Sequence, residues 1–347
     1  MDMMLLLALP LVTGLVCRVL PRQSWVGPAN AVGSLATLGA GAAVAVRVFR
    51  EGPASAWGDL LYVDALGALL IVVIVLVGFL AAIYSVGYMR REVEHGKVAS
   101  SRLGGYYLCY HAFIWTMLLA GMVNNLGLLW AAIEATTIVS ALLVGFYRSK
   151  AALEAAWKYL ILCTVGITFA LFGVLLTYYA SIHGLGEEAG LSWTTLVAHA
   201  GQLDPGLMKL AFVFVLVGFG AKAGFAPLHN WLPDAHSQAP SPVSAVLSGV
   251  LLKCGLYGVL RFYLVASGAT GPEFSSRLLM GFGLVSVVVA VPFILVQTDL
   301  KRLLAYHSVE HIGLIAVAIG LGGPLGLYAG LLHLFNHAMA KALLFFV

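Results

Sequence analysis

Residues Gly218–Pro242 read GFGAKAGFAPLHNWLPDAHSQAPSP. The apolar run Leu210–Val217 leads straight into them, so a helix enters this stretch already formed. It cannot continue undisturbed. Pro227, Pro233, Pro240 and Pro242 each lack a backbone donor and crowd the turn before them. Gly220 and Gly224 add points where the backbone bends freely. Lys222 stands at the break with no polar neighbour, and His229, Asp234 and His236 follow it. In water this would be a loop. In a membrane it is a broken helix, placed at 218–232, beside a buried charge, and such features line polar paths.

Composition puts the segment in a membrane. The chain of 347 residues is 61% hydrophobic and 10% charged, with a mean hydropathy of +0.97. Soluble domains carry about 25% charged residues. The net charge of +4 is scattered over short loops, which argues against a nucleic-acid partner. Cys17, Cys109, Cys163 and Cys254 lie singly in apolar segments, so neither a disulfide framework nor an iron–sulfur site is indicated.

A span needs about 20 apolar residues. Eleven segments qualify: 3–20, 28–49, 65–88, 105–123, 125–147, 154–180, 207–232 (the broken one), 242–265, 278–297, 302–321 and 325–347. The longest loop, 181–206, contains SWTTLVAHAGQL, which reads as a surface helix. The first span follows an acid rather than a basic start, so it is read as uncleaved. Arg18, Arg22, Arg90, Arg91, Lys97, Arg102, Arg148, Lys150, Lys301 and Arg302 fall at one side of these spans; Arg47, Arg50, Lys209, Arg261 and Arg277 fall at the other. The richer side is expected to be cytoplasmic, with the N-terminus outside, in a multi-pass protein of the inner (cytoplasmic) membrane. The sequence stops within the apolar run HAMAKALLFFV, which suggests a truncated product.

Several charges fall inside spans. A mid-bilayer charge costs about 2.5–3.5 kcal/mol on insertion scales. Lys253 lies deep in PVSAVLSGVLLKCGLYGVLRFY and Glu134 deep in NLGLLWAAIEATTIVSALLVGF. Lys158 is nearer a span end, where it could snorkel or form a structural ion pair. Lys341 lies in the last run. His307 and His311 share a helix face, as do His333, His337 and Lys341. A lone core histidine is more often merely hydrogen-bonded, but two stripes in adjacent spans favour proton exchange. Desolvation disfavours a charged amine, so a buried lysine can give up a proton near neutral pH. One acid and several bases on successive spans thus form a candidate proton relay. His307–His311 also matches the zinc-peptidase pattern H-x-x-E-H. No third ligand accompanies it, the pattern arises easily by chance, and no metal is expected.

These residues carry a resemblance. Gly218–Phe262, together with LLWAAIEATTIVSALLV (128–144), LEAAWKYLILCTVGI (153–167), DLKRLLAYHSVEHIG (299–313) and LLHLFNHAMAKALLFF (331–346), resembles the antiporter-like membrane subunits of respiratory complex I and of related membrane-bound hydrogenases. The likeness runs from about residue 60 onward. EATTIVSALLV, EAAWKYLILCTVGI and YHSVEHIG are most similar to component F of hydrogenase-4 and formate-hydrogenlyase-type complexes.

The resemblance implies an all-α fold built on two inverted five-helix repeats, each with a broken helix. N-terminal helices would occupy 1–104, a first repeat 105–265, and the start of an incomplete second repeat 278–347. It implies that Glu134 pairs with Lys222, that Lys158 modulates the pair, and that Lys253 is the central lysine of a polar axis. His307, His311, His333, His337 and Lys341 would lead onward, and His229 and Asp234 would cap or anchor the broken helix. The implied function is proton, or sodium, translocation within a redox-driven complex. No cofactor motif occurs in the chain, so electron transfer would belong to other membrane subunits and a peripheral nickel–iron and iron–sulfur module. The rival readings are a cation/proton antiporter or inorganic-carbon transporter component of the same fold, and a structural anchor whose charges only pair.

Overall fold

A computed structural model describes residues 2–347, the side chain of Glu188 excepted. The helices are α1 (Asp2–Val19), α2 (Gln23–Glu51), α3 (Ala65–Glu94), α4 (Leu103–Met122), α5 (Leu126–Val144), α6 (Lys150–Leu185), α7 (Trp193–Ala198), α8 (Pro205–Ala223), α9 (Trp231–Gln238), α10 (Ser241–Val246), α11 (Leu252–Thr270), α12 (Pro272–Val296), α13 (Leu300–Gly320) and α14 (Gly323–Phe346). A π-helical turn, Leu247–Leu251, joins α10 to α11, so Ser241–Thr270 forms one rod. Among the described residues, ten helices, that rod counted once, are long and apolar enough to cross a membrane.

The eleventh expected span corresponds to α4. Tyr106, Tyr107, Tyr110 and His111 lower its hydropathy, and all four are buried. Three of the four are bonded inside the bundle: His111 Nε2 lies 3.0 Å from Asn30 Oδ1, Tyr110 donates to the Gly78 carbonyl at 2.6 Å and Tyr107 OH accepts from Ser85 at 3.3 Å, while the Tyr106 hydroxyl is buried without a partner among the described residues. The outward faces are apolar instead. Trp157, Ile161, Val165, Phe172 and Leu175 lie exposed along α6, an arrangement that needs lipid or another subunit rather than water.

Polar caps mark the helix starts. Asp64, Asn125, Ser149, Asp204 and Asp299 each accept from a backbone N–H in the first turn of α3, α5, α6, α8 and α13. One end of the bundle is closed by a small hairpin, β1 (Ala54–Ala56) antiparallel to β2 (Leu61–Val63). Isolated bridges tie Leu61 to Val123 and Asn125 to Ser192. The expected surface helix is present there as α7, followed by a 3-10 turn over Ala200–Gln202.

The break is narrower than the sequence suggests. α8 stays helical through Gly220, Lys222 and Ala223, and ends because Gly224 adopts φ 89, a left-handed conformation that favours glycine. The irregular connection runs over 224–230 and contains Pro227 and His229. Pro233 does not break anything. It sits in the first turn of α9, where its missing N–H is not needed. Two groups satisfy carbonyls freed at the end of α8: Phe225 N–H donates to Gly220 O at 2.9 Å, and Trp231 Nε1 donates to Ala221 O at 3.0 Å. α11 lies hard against this end. A Cβ on Gly255 would fall 2.6 Å from Ala223 N.

Candidate functional site

Lys222 is 1% exposed at the tip of α8. Its ammonium donates to Thr137 Oγ1 at 2.8 Å and to Tyr159 OH at 2.6 Å, and lies 4.7 Å from the Tyr159 ring centroid. Glu134 accepts from the same Thr137 at 3.1 Å and from Thr164 of α6 at 3.0 Å. The expected Glu134–Lys222 pair is therefore joined through a hydroxyl. Among the described residues, no Lys222–carboxylate ion pair lies within 4 Å. Glu134 is half-buried and Thr164 exposed, so the acid opens toward the outer face of α5 and α6.

A second group surrounds Lys253, which is fully buried. Its ammonium donates to the Ser248 carbonyl at 2.6 Å and lies 2.6 Å from His337 Nδ1. Ser248 belongs to the π-turn, and Lys253 is five residues further on, so the widened turn directs that carbonyl to the ammonium. The Ser248 hydroxyl lies 2.8 Å from that of Ser308 on α13. The His337 ring lies 5.0 Å from that of His311, whose Nδ1 is 2.9 Å from His333 Nε2. Lys341 donates to the Leu304 carbonyl at 2.9 Å. His307 Nδ1 meets Glu310 Oε2 at 2.9 Å. One ligand atom each from His307, Glu310 and His311 lies within 4.8 Å of the others, so the H-x-x-E-H spacing is compact enough to share a metal ion. His333 is hydrogen-bonded to His311 and is not among the residues whose ligand atoms converge there.

The stripes on α13 and α14 thus face one another and Lys253. Lys158 is half exposed and bound to Glu154 at 2.7 Å and Asp234 at 3.4 Å, with no hydrogen bond to Glu134 or Lys222. Asp234 also receives Arg302 of α13, so it sits at α9 between two cations. His229 is buried with Nδ1 unbonded, its ring 6.2 Å from that of Tyr306. His236, passed over as a site by sequence reasoning, is fully buried and stacks on Phe345 at 5.0 Å, with neither ring nitrogen bonded. Among the described residues, no hydrogen bond links the Lys222 group to the Lys253 group.

Arg261 corrects the loop count. It is 3% exposed within α11, and its guanidinium grips Asp64 with two bonds, of 2.6 and 2.8 Å. It also covers Trp193 at 4.1 Å and binds Tyr257 OH at 2.6 Å. It therefore contributes nothing to a loop-charge comparison. The bonding hydroxyls Thr137, Tyr159, Thr164 and Ser248 had only one signal in the sequence, their position within a few residues of a buried charge.

Broken α8–α9, the charged groups at its tip and the apolar outer faces define a polytopic membrane protein with a polar interior. The chain belongs to the family described as NADH:quinone oxidoreductase/Mrp antiporter, transmembrane, whose pattern matches residues 123–347. Residues 60–97 match the pattern described as NADH-ubiquinone oxidoreductase (complex I), chain 5 N-terminus. The hydrogenase-4 component F homolog of Methylacidiphilum infernorum is 42% identical over 300 residues, covering 86% of this chain and 62% of that protein. Hydrogenase-4 component B of Escherichia coli is 34% identical, covering 86% of this chain and 44% of its own. The chain thus spans about half to three-fifths of these relatives. A chain of the archaeal membrane-bound sulfane sulfur reductase superposes with a TM-score of 0.85 at 27% identity, covering 99% of this chain and 69% of its own. A chain of respiratory complex I from Thermus thermophilus gives 0.75 at 27% identity with the same coverage.

Proposed function

We propose that this chain is a proton-translocating subunit of a redox-driven membrane complex of the hydrogenase-4 or complex I-like kind. Its charges would move protons through a buried relay. The observation that carries the reading is the Lys222 group. A fully buried ammonium at the end of a broken helix shares a hydroxyl with a carboxylate open to the outer face, so a proton change at either is felt by the other. In a low-dielectric interior that coupling is strong.

Proton transfer between Glu134 and Lys222 changes the charge facing the core of the bundle. Lys253 responds, because among the described residues its ammonium is held by a carbonyl and a histidine nitrogen, with no carboxylate bonded to it. A proton released there has His337 as acceptor at 2.6 Å; His337 Nε2 has no hydrogen-bond partner among the described residues, so passage onward to the bonded His311–His333 pair requires water or a turn of the ring. The step from Lys222 to Lys253 has no fixed bond, so it requires water or a shift at the α8 tip. Lys158 with Glu154, Asp234 and Arg302 would tune the position of α9 rather than carry the proton.

The complex would lie in the cytoplasmic membrane with the chain's N-terminus outside, which the loop charges without Arg261 support more strongly. Electron transfer would belong to partner subunits bearing nickel–iron and iron–sulfur centres. Residues 105–265 would act as one five-helix repeat, with 278–347 opening the second. The test is redox-driven proton uptake by membrane vesicles containing the intact complex. Lys253→Ala and Glu134→Gln are each expected to abolish it while the redox module still assembles. Full pumping by both variants would sink the relay.

A further inference from the structure

A groove between α4, α5 and α6 has no part in the relay. Its volume is about 640 Å³, and it opens at the end of the bundle where α1 stops, α4 begins and α5 turns into α6. Arg18, Arg102 and Arg148 come from these three separate connections and line the same groove. Among the described residues, none of the three has a carboxylate within 4 Å; Arg22, Arg50 and Arg91 share that lack but do not line this groove, while Arg47, Arg90, Arg261, Arg277 and Arg302 are each paired. Arg102 is the most constrained. It lies over the Phe146 ring at 4.6 Å and donates to the Phe146 carbonyl. Burial, and then the like charge of Arg148, push its pKa down. Arg148 itself is held at φ 57, a left-handed conformation unusual for a side chain of its size.

Below the arginines the groove turns apolar. Leu142, Leu153 and Trp157 line it at 62%, 45% and 61% exposure. A basic mouth over an apolar, outward-facing trough fits a molecule with an anionic head and a hydrocarbon tail. A general bias of loop arginines would scatter these side chains. It would not bring three unpaired guanidiniums from three connections to one opening.

We propose that this groove is a binding site for an anionic phospholipid. The phosphodiester would accept charge-assisted hydrogen bonds from the guanidiniums. One acyl chain would lie along Leu142 and Leu153, with Trp157 at the interface level favoured by its amphipathic ring. The bound lipid would relieve the repulsion between Arg102 and Arg148 and clamp the α5–α6 turn, at the far end of the helices that carry Glu134 and Thr164.

The test is native mass spectrometry of the full chain, purified in neutral detergent, with phosphatidylglycerol or phosphatidylcholine of identical acyl chains. The expected result is preferential retention of phosphatidylglycerol, weakened about fivefold by each of Arg18→Gln, Arg102→Gln and Arg148→Gln. Inorganic phosphate at equal concentration should not compete. Variants are compared in material whose elution and helical content match the wild type. A triple lysine variant, which keeps the charge, should retain the preference that the triple glutamine variant loses. Four outcomes overturn the proposal: equal retention of both lipids, unchanged binding in the glutamine variants, phosphate binding as tight as lipid, or loss in the triple lysine variant as great as in glutamine. Cross-linking of the groove to an acidic segment of a partner subunit, in place of lipid, would also overturn it.

Discussion

Thr137 shows how much one hydroxyl can decide. It donates to Glu134 and accepts from Lys222, so it links acid and base where the two do not touch. A hydroxyl can do both because it has one proton and two lone pairs. Thr137→Val keeps the shape and removes both bonds, leaving a buried ammonium with Tyr159 as its remaining hydroxyl partner. The expected cost is about 1–3 kcal/mol of stability. Redox-driven proton uptake should fall about tenfold, the effect of some 1.4 kcal/mol on a rate. Thr137→Ser should recover both quantities. Thermal unfolding in detergent and vesicle pumping check the two halves separately.

A second residue-scale prediction concerns Asp64, which lies ahead of α3. Burial pushes its carboxyl upward, but the Arg261 hydrogen bonds and charge, with the Gly67 N–H, outweigh this and hold it below the usual value. A depressed carboxylate gives stability that is present above the unfolded pKa and lost as pH falls through the folded one. The wild type should therefore lose thermal stability below about pH 4. Asp64→Asn should lack that acid-dependent component. At neutral pH it should be less stable by about 3 kcal/mol, because Arg261 stays buried without its carboxylate. Melting curves recorded across the acid range decide this.

At the scale of elements, the broken helix depends on close backbone contact between α8 and α11. Gly255 makes that contact possible, because any side chain there meets Ala223 N and the carbonyl carbon of Lys222. Gly255→Val is expected to cost about 1–3 kcal/mol through overpacking and to displace the α8 tip. Pumping should fall more than the melting temperature alone predicts, since Lys222 moves with that tip. The break was legible in the sequence because proline and glycine act locally. Lys222, Lys253 and the α13 and α14 histidines were legible because charge in an apolar run is conspicuous. The hydroxyl bridge was not, since Thr137 and Tyr159 pass as ordinary filler in helices of mixed composition. The π-turn was not either, as nothing in LSGVL distinguishes bonds spanning five residues from bonds spanning four. Arg261 was misread because it stands near a span end, where an arginine usually reaches water, and its partner Asp64 is distant in sequence. Lys158 was assigned by likeness to a motif, while its bonds are decided by Glu154 on its own helix and Asp234 on α9.

For the whole molecule, the question is whether the two charged groups act in series or merely hold the bundle together. They share no hydrogen-bonded partner among the described residues, so this can be decided by comparing two kinds of additivity. Stability losses at sites without shared partners add. Rate losses along one obligatory path do not, because blocking either step already stops the flow, as with catalytic residues that work as a unit. Lys222→Ala and Lys253→Ala should each abolish proton uptake in vesicles carrying the intact complex, and the double variant should be no worse than either. Their melting shifts should sum within about 0.5 kcal/mol. A structural anchor predicts the reverse: residual pumping that falls further in the double variant, in step with summed destabilisation. Measuring pumping and unfolding on the same four proteins separates a relay from a scaffold without knowing which ion or which redox partner the complex uses.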